Sequence, residues 1–119
     1  MQKFKVVFFA QEDGTEPVKD FLLSLDSKMR SKIMKELKML AINGTKLREP
    51  YSKLLEDGIF ELRAQQSSNV TRVLYFFYVE NKIILTNGFV KKTPKTPPEE
   101  IERAKRRRAE YMRRKGDES

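Results

Sequence analysis

At 119 residues, with 39% hydrophobic content that includes eight Phe and four Tyr, the chain can build one packed domain and has no room for a second core. Twenty-five Lys and Arg against 17 Asp and Glu leave a formal charge of +8, which points to a polyanionic partner, nucleic acid or acidic protein, although a merely soluble basic protein shows the same balance. There is no Cys and no His, which excludes disulfides, thiolate nucleophiles and cysteine zinc sites and leaves any catalysis to Lys, Arg, Tyr, Glu or Asp.

Residues 3 to 9 are β-branched and aromatic without helical periodicity, and read as a strand buried on both faces. The apolar run at the N-terminus is too short for a leader and meets Glu12 and Asp13, and no run approaches the roughly 18 apolar residues that span a bilayer, so a cytoplasmic protein is expected. Thr15 is placed to cap a short helix whose stripe is Val18, Phe21, Leu22 and Leu25, with Pro17 in its first turn. Asp26 or Ser27 caps a second helix lined by Met29, Ile33, Leu37, Leu40 and Ala41 and stopped by Asn43-Gly44. Its other face carries Lys28, Arg30, Lys32, Lys35 and Lys38, a pattern that normally means only solvation. Residues 45 to 58 read as an irregular basic loop holding Lys46, Arg48, Tyr51 and Lys53.

Three strands follow, at 59–65, 70–79 and 82–91, joined by Ser67-Ser68 and Glu80-Asn81; connections this short require antiparallel hairpins. The prolines of 93–98 read as a stiff linker. A basic helix, 99–115, completes the chain; its thin apolar stripe of Ile101, Ala104 and Tyr111 or Met112 predicts loose docking. The whole reads as one α+β domain over 1–119: an N-terminal strand, two helices, a three-stranded antiparallel meander and a C-terminal basic helix.

The hairpin loops fix a register. With Ser67-Ser68 as the loop, Arg63 lies directly across from Arg72; with Glu80-Asn81 as the turn, Arg72 faces Phe89 and Val70 faces Lys91. One face then collects Phe60, Leu62, Val73, Tyr75, Phe77, Ile84 and Val90 beneath the two helices. The other carries Glu61, Arg63, Gln65, Arg72, Asn87 and Lys91, with Leu74, Phe76 and Phe89 needing cover. Like charges set opposite one another destabilise a sheet unless an anion lies between them. Arginine forks match phosphate oxygens, so this face is a candidate phosphate cleft. The competing reading is that Glu61 or an acid of the tail pairs the two arginines.

The segments Gly58-Ile59-Phe60-Glu61-Leu62-Arg63, Arg72 to Tyr75, Gly88-Phe89-Val90-Lys91-Lys92-Thr93-Pro94-Lys95-Thr96-Pro97 and Glu100-Ile101 with Ala104 resemble the RelE/ParE toxin–antitoxin superfamily, and within it the HigB toxins of the phage-derived branch. That resemblance covers essentially the whole chain and implies a RelE-like fold. It also implies the toxin of a type II toxin–antitoxin system: a ribosome-dependent mRNA endonuclease that needs no metal or cofactor and promotes 2′-OH attack on the neighbouring phosphate. Its implied partners are the ribosome, mRNA and a cognate antitoxin, commonly a helix-turn-helix HigA-like protein, with no membrane and no small-molecule cofactor. Some superfamily members use a His or a C-terminal Tyr as acid or base, and this chain has no His. Arg63 and Arg72 would then stabilise the pentacoordinate phosphate, and Lys91 or Lys92, crowded by them, would move the proton. Glu61 is a second base, or a structural partner of the arginines. Lys46, Arg48, Tyr51, Lys95, Arg106 and Arg107 would dock RNA. The alternatives are a ParE-like toxin that poisons DNA gyrase without cutting RNA, and a plain RNA-binding module; fold alone does not choose among them.

Overall fold

The computed structural model describes residues 3–118, with side chains to Gly116. In chain order the elements are β1 (Lys5–Phe8), α1 (Pro17–Ser24), α2 (Ser27–Asn43), a single 3-10 turn (Gly44–Lys46), β2 (Ser52–Glu56), β3 (Ile59–Gln66), β4 (Asn69–Tyr78), β5 (Lys82–Lys91) and α3 (Pro98–Glu118). They form one five-stranded mixed sheet in the order β1-β5-β4-β3-β2, with β1 parallel to β5 and the other neighbours antiparallel. The α+β class is as expected, but the three-stranded meander is a four-stranded one with β1 added on its far side. Because the α1–α2 pair carries the chain across one face, β1 and β2 end on opposite edges.

The extra strand lies in what reads as a loop. β2 pairs Ser52 with Leu62, Lys53 with Glu61 and Leu54 with Phe60. Its entry is pinned where the buried Ser52 hydroxyl meets the Tyr75 hydroxyl at 2.6 Å. Asp57 and Gly58, at φ 50° and 76°, turn it into β3 as a two-residue hairpin of the primed type. β1 is shorter than expected, and as an edge strand it leaves Lys5 exposed and Val6 to Phe8 only half-buried. Thr15 does not cap α1. Its amide and hydroxyl both donate to Asp13 Oδ1, at 2.9 and 2.7 Å, making a turn before the helix. Asp26 is the cap of α2, accepting from the Met29 amide at 2.8 Å.

The register of β3 and β4 is the expected one, with Arg63 opposite Arg72. On β5, Arg72 faces Phe89 and Val70 faces Lys91, again as expected, but two compensating one-residue shifts produce the match. The β4–β5 loop holds three residues, Val79 to Asn81, and a bulge at Thr86 restores the pairing, so Leu74 faces Asn87 while Tyr75 faces Leu85. The bulge switches faces between its two sides. Ile84 therefore belongs to the face away from α1 and α2, which instead cover Ile83 and Leu85 together with Leu62, Val73 and Tyr75. Val90 stays 40% exposed.

The second face is covered by α3, which is firmly docked. Ala104 and Tyr111 are buried against Phe9, Ile59, Leu74, Phe76, Ile84 and Phe89. Two arginines widen the thin apolar stripe. The guanidiniums of Arg107 and Arg114 lie 5.9 and 5.4 Å from the Phe9 ring centroid. Arg107 also donates to the carbonyl of the bulged Thr86 at 2.9 Å, and Arg114 to the carbonyl of Ala10. Ala104, Arg107, Tyr111 and Arg114 thus form one inward helical face. The 93–98 segment is not a free spacer either; it folds back over the sheet.

Gly44 ends α2 at φ 51°, and a Cβ there would come within 2.0 Å of the Phe4 ring, which packs against this cap. Replacing it strains the backbone and displaces β1's lead-in together. Gly44→Ala is expected to cost on the order of 2–4 kcal/mol, read as a lower urea midpoint with unchanged slope.

Candidate functional site

The site follows from two like charges forced together by strand register. Arg63 and Arg72 face each other on the α3 side of the sheet, and Glu61, two residues before Arg63, projects to the same side. Glu61 is fully buried and serves both. Its Oε2 accepts from Arg63 Nε at 2.6 Å, and its Oε1 lies 3.8 Å from Arg72 Nε while accepting the Thr96 hydroxyl at 2.5 Å. The Pro-rich segment closes over the group: Pro94 O accepts from Arg63 Nη2 at 2.6 Å, and Thr93 O accepts from Arg72 Nη2.

The two arginines are not equivalent. The Arg63 side chain remains 26% exposed, whereas that of Arg72 is wholly buried, with its guanidinium 6.0 Å from the Phe89 ring centroid. Arg72 Nε and Nη1 have no hydrogen-bond partner. Burial lowers the Arg72 pKa; Glu61 opposes that shift and Arg63 adds to it. The expected open pair of arginines is therefore one reachable arginine with a buried one behind it. Glu61, with both oxygens committed, is their structural partner.

The other residues singled out by sequence distribute unevenly. Lys91, Lys92 and Lys95 are exposed around the end of the sheet beside Arg63, and Lys95 shares a hollow with Lys53, Pro94 and Thr96. Lys91 faces Val70 across the ladder, two residues along from the Arg72–Phe89 pair. Tyr51 is brought to the site, since its carbonyl accepts from the Arg63 amide at 2.9 Å. Lys46 and Arg48 sit further along the loop, and Arg48 Nη1 is tied to the Thr45 carbonyl at 2.6 Å. On α3, Arg106 is exposed, and the half-buried Arg107 turns its Nη1 to the Thr86 carbonyl.

The sequence reading passed over Glu36. It sits on α2 among the core positions Ile33, Leu37 and Leu40, is 7% exposed, and its Oε1 has no hydrogen-bond partner. It lines a cleft of about 290 Å³ with Lys32, Pro50, Tyr51, Arg63, Gln65 and Val70. Burial pushes its carboxyl up to about 7, with Lys32 pulling the other way. The available signal was an acid falling on the apolar stripe of a helix whose outer face is basic. Among the described residues no group of acids could hold a metal ion, and no helix is long and apolar enough to cross a membrane.

The sequence profile of the family described as phage derived protein Gp49-like (DUF891) matches residues 20–109. The matched stretch includes Glu36, Glu61, Arg63, Arg72 and Lys91. No curated protein matches the chain.

Removing the shared carboxylate leaves two guanidiniums facing each other with nothing anionic between them. Glu61→Ala is expected to cost about 3–5 kcal/mol in chemical denaturation, far more than an exposed acid such as Glu99 replaced in the same way. Glu36 has the opposite sign. Its folded pKa lies above its unfolded one, so stability is full below the unfolded value and declines as pH rises through about 7. Glu36→Gln should therefore match the wild type near pH 4 and unfold at higher urea at pH 8.5.

Proposed function

Because the chain belongs to the phage-derived Gp49-like family, a family of RelE/HigB-like toxins, we propose that it is the toxin of a type II toxin–antitoxin system and acts as a ribosome-dependent mRNA endonuclease. The reading rests on one observation: two arginines face each other across β3 and β4 with a single carboxylate between them, and the buried one keeps two donors unpartnered. Such a group is short of one negative charge, and a phosphate supplies both that charge and the acceptor geometry of a guanidinium fork.

In this reaction the ribose 2′-oxygen attacks the neighbouring phosphorus, the bond from phosphorus to the 5′-oxygen breaks, and the products are a 2′,3′-cyclic phosphate and a 5′-OH. Arg63, the exposed member, contacts the phosphate. Arg72 stays behind it as a fixed positive charge that needs no reorganisation when charge builds on the phosphate oxygens. The carbonyls of Thr93 and Pro94 presently occupy the Nη2 donors a phosphate would take, so full engagement requires the 93–97 segment to yield. Lys91, Lys92 and Lys95 hold the RNA backbone on either side, with Lys46, Tyr51 and Arg106 as outlying contacts. The neutralising partner on this reading is a cognate helix-turn-helix antitoxin.

The test is induction in a bacterium with RNA 5′ ends mapped while translation runs and while it is blocked. New 5′-OH ends that depend on translation are expected. Intact mRNA with DNA breaks would point to a gyrase poison, and neither lesion to a binding module. Arg63→Ala should lower cleavage by about 10²–10³-fold in a folded protein. Arg72→Ala does not test the same point, because it strips a wholly buried partner from Glu61; Arg72→Lys, which keeps the charge, is the informative variant and should retain more activity than Arg63→Ala.

A further inference from the structure

We propose that the outer face of α2 is a docking surface for paired RNA, with Lys28, Lys32, Lys35 and Lys38 lying along the phosphate backbone. The choice of RNA as the polyanion rests on the function proposed above; the surface itself follows from charge and exposure.

The helix α2 carries five basic residues, Lys28, Arg30, Lys32, Lys35 and Lys38, and a single acid, Glu36. That acid is 7% exposed, so the solvent side of the helix bears positive charge and no negative charge of its own. Spacings of four, three and three residues put Lys28, Lys32, Lys35 and Lys38 on one stripe, opposite the buried Met29, Ile33, Leu37 and Leu40. All four lysines are exposed. The Lys32 ammonium donates to the Gln65 carbonyl, and among the described residues none of the four forms an ion pair. Like charges three and four residues apart on a helix repel one another, so the stripe costs stability where nothing anionic lies against it.

The contrast with α3 is sharp. That helix holds eight basic residues against six acids, and most of its cations are paired. Arg103 pairs with Glu100, Lys105 with Glu56 and Glu102, Arg108 with Asp57, and Arg113 and Arg114 with Glu110. The α2 patch, by comparison, continues past its own helix. Lys38 borders a groove with Lys3 and Lys5, both exposed, along the edge strand β1. Glu80, the acid of that groove, lies 4.0 Å from Lys82.

Length and composition select the partner. From Lys28 to Lys38 the stripe spans about 15 Å of helix, which follows a backbone instead of gripping one anion. There is no aromatic residue on α2, so the face offers nothing on which unpaired bases could stack. Protein interfaces are enriched in aromatic residues and Arg and depleted in Lys, the reverse of this stripe. Paired RNA is recognised through its shape and its phosphates, which is what a row of lysines can meet. The face of the sheet that α2 covers is opposite the one carrying Arg63, so RNA on α2 and a phosphate at Arg63 do not compete.

The experiment is fluorescence anisotropy with a labelled RNA hairpin of about 16 base pairs, titrated with the purified full chain over a series of KCl concentrations. Lys28→Ala/Lys35→Ala/Lys38→Ala should bind at least about tenfold more weakly at low salt, with a salt slope reduced by about 2–3. Hairpins of different sequence should lose affinity alike, since phosphate contacts carry no sequence. Circular dichroism and the urea midpoint should match the wild type, because the three side chains are exposed. Lys28→Arg/Lys35→Arg/Lys38→Arg keeps the charge and should bind as the wild type does. Arg103→Ala/Lys105→Ala/Arg108→Ala removes the same charge from α3 and should change the slope by less than about one. Equal losses in the two alanine variants would reduce the effect to net charge and overturn the proposal. Wild-type hairpin binding by the α2 alanine variant would overturn it too, as would a loss confined to polyglutamate, which assigns the face to an acidic protein. If the wild type still makes translation-dependent RNA ends in that case, the endonuclease reading stands without this surface. The expected hairpin result from a wild type that makes no RNA ends leaves the surface and overturns that reading.

Discussion

Two arginines share one carboxylate across β3 and β4, and much of the chain after residue 91 is arranged around that shortage. Strand register leaves Arg63 and Arg72 no choice but to face each other, which in a bare sheet would be repulsive. Glu61 answers one of the two charges. The remaining donors draw in peptide carbonyls, so Thr93 and Pro94 are laid across the sheet and the Thr96 hydroxyl is fixed to Glu61. That fixes where α3 begins, at Pro98, and sends it over the face that holds Phe9, Phe76 and Phe89. A rigid, three-proline segment is suited to such a crossing, because it loses little conformational freedom on being held.

The same shortage makes the site selective about which arginine can work. Burying an arginine whose Nε and Nη1 have no partner is costly, and it is tolerated because Glu61 and the Thr93 carbonyl answer part of the guanidinium. Arg72 therefore contributes charge at a fixed place, and Arg63, at the edge of the network, contributes reach. A phosphate offers a guanidinium a full negative charge and two parallel acceptor oxygens, where a peptide carbonyl offers one neutral acceptor. A phosphate arriving at Arg63 consequently competes on favourable terms with the Pro94 carbonyl it meets there.

How much of this was legible in the sequence depends on whether the deciding signal was local. The Arg63–Arg72 register was legible because a two-residue hairpin loop fixes it alone. The Arg72–Phe89 register came out right only because a longer loop and the Thr86 bulge cancel, and the misplaced Ile84 and Val90 are the residue of that cancellation. β2 was missed although Asp57-Gly58 is a strong local hairpin signal; Pro50 and the charges nearby outweighed it, and edge strands carry such charges as a rule. The docking of α3 was not legible from apolar periodicity, because half of its inward face is arginine. Arg107 and Arg114 bury by stacking on Phe9 and by finding the carbonyls of Thr86 and Ala10, the first of these freed by a bulge that no local pattern announces. Burial of Arg72 is tertiary in the same sense, since it follows from where the 93–97 segment lies.

Glu36 and Glu61 show why composition could exclude histidine chemistry yet not say how each acid is held. Both are buried acids, Glu61 on β3 itself and Glu36 on α2. Glu61 sits among hydrogen-bond donors that hold it as an acceptor, and its work is to keep two positive charges in place. Glu36 sits among apolar neighbours with one lysine nearby, and desolvation, the larger effect, leaves its carboxyl poised between its two protonation states near pH 7. Two carboxyls on one scaffold are thereby separated into a fixed charge and a titratable group by their surroundings alone. In the sequence each is one glutamate among 17 acids, and only the packing of α2 against the end of the sheet tells them apart.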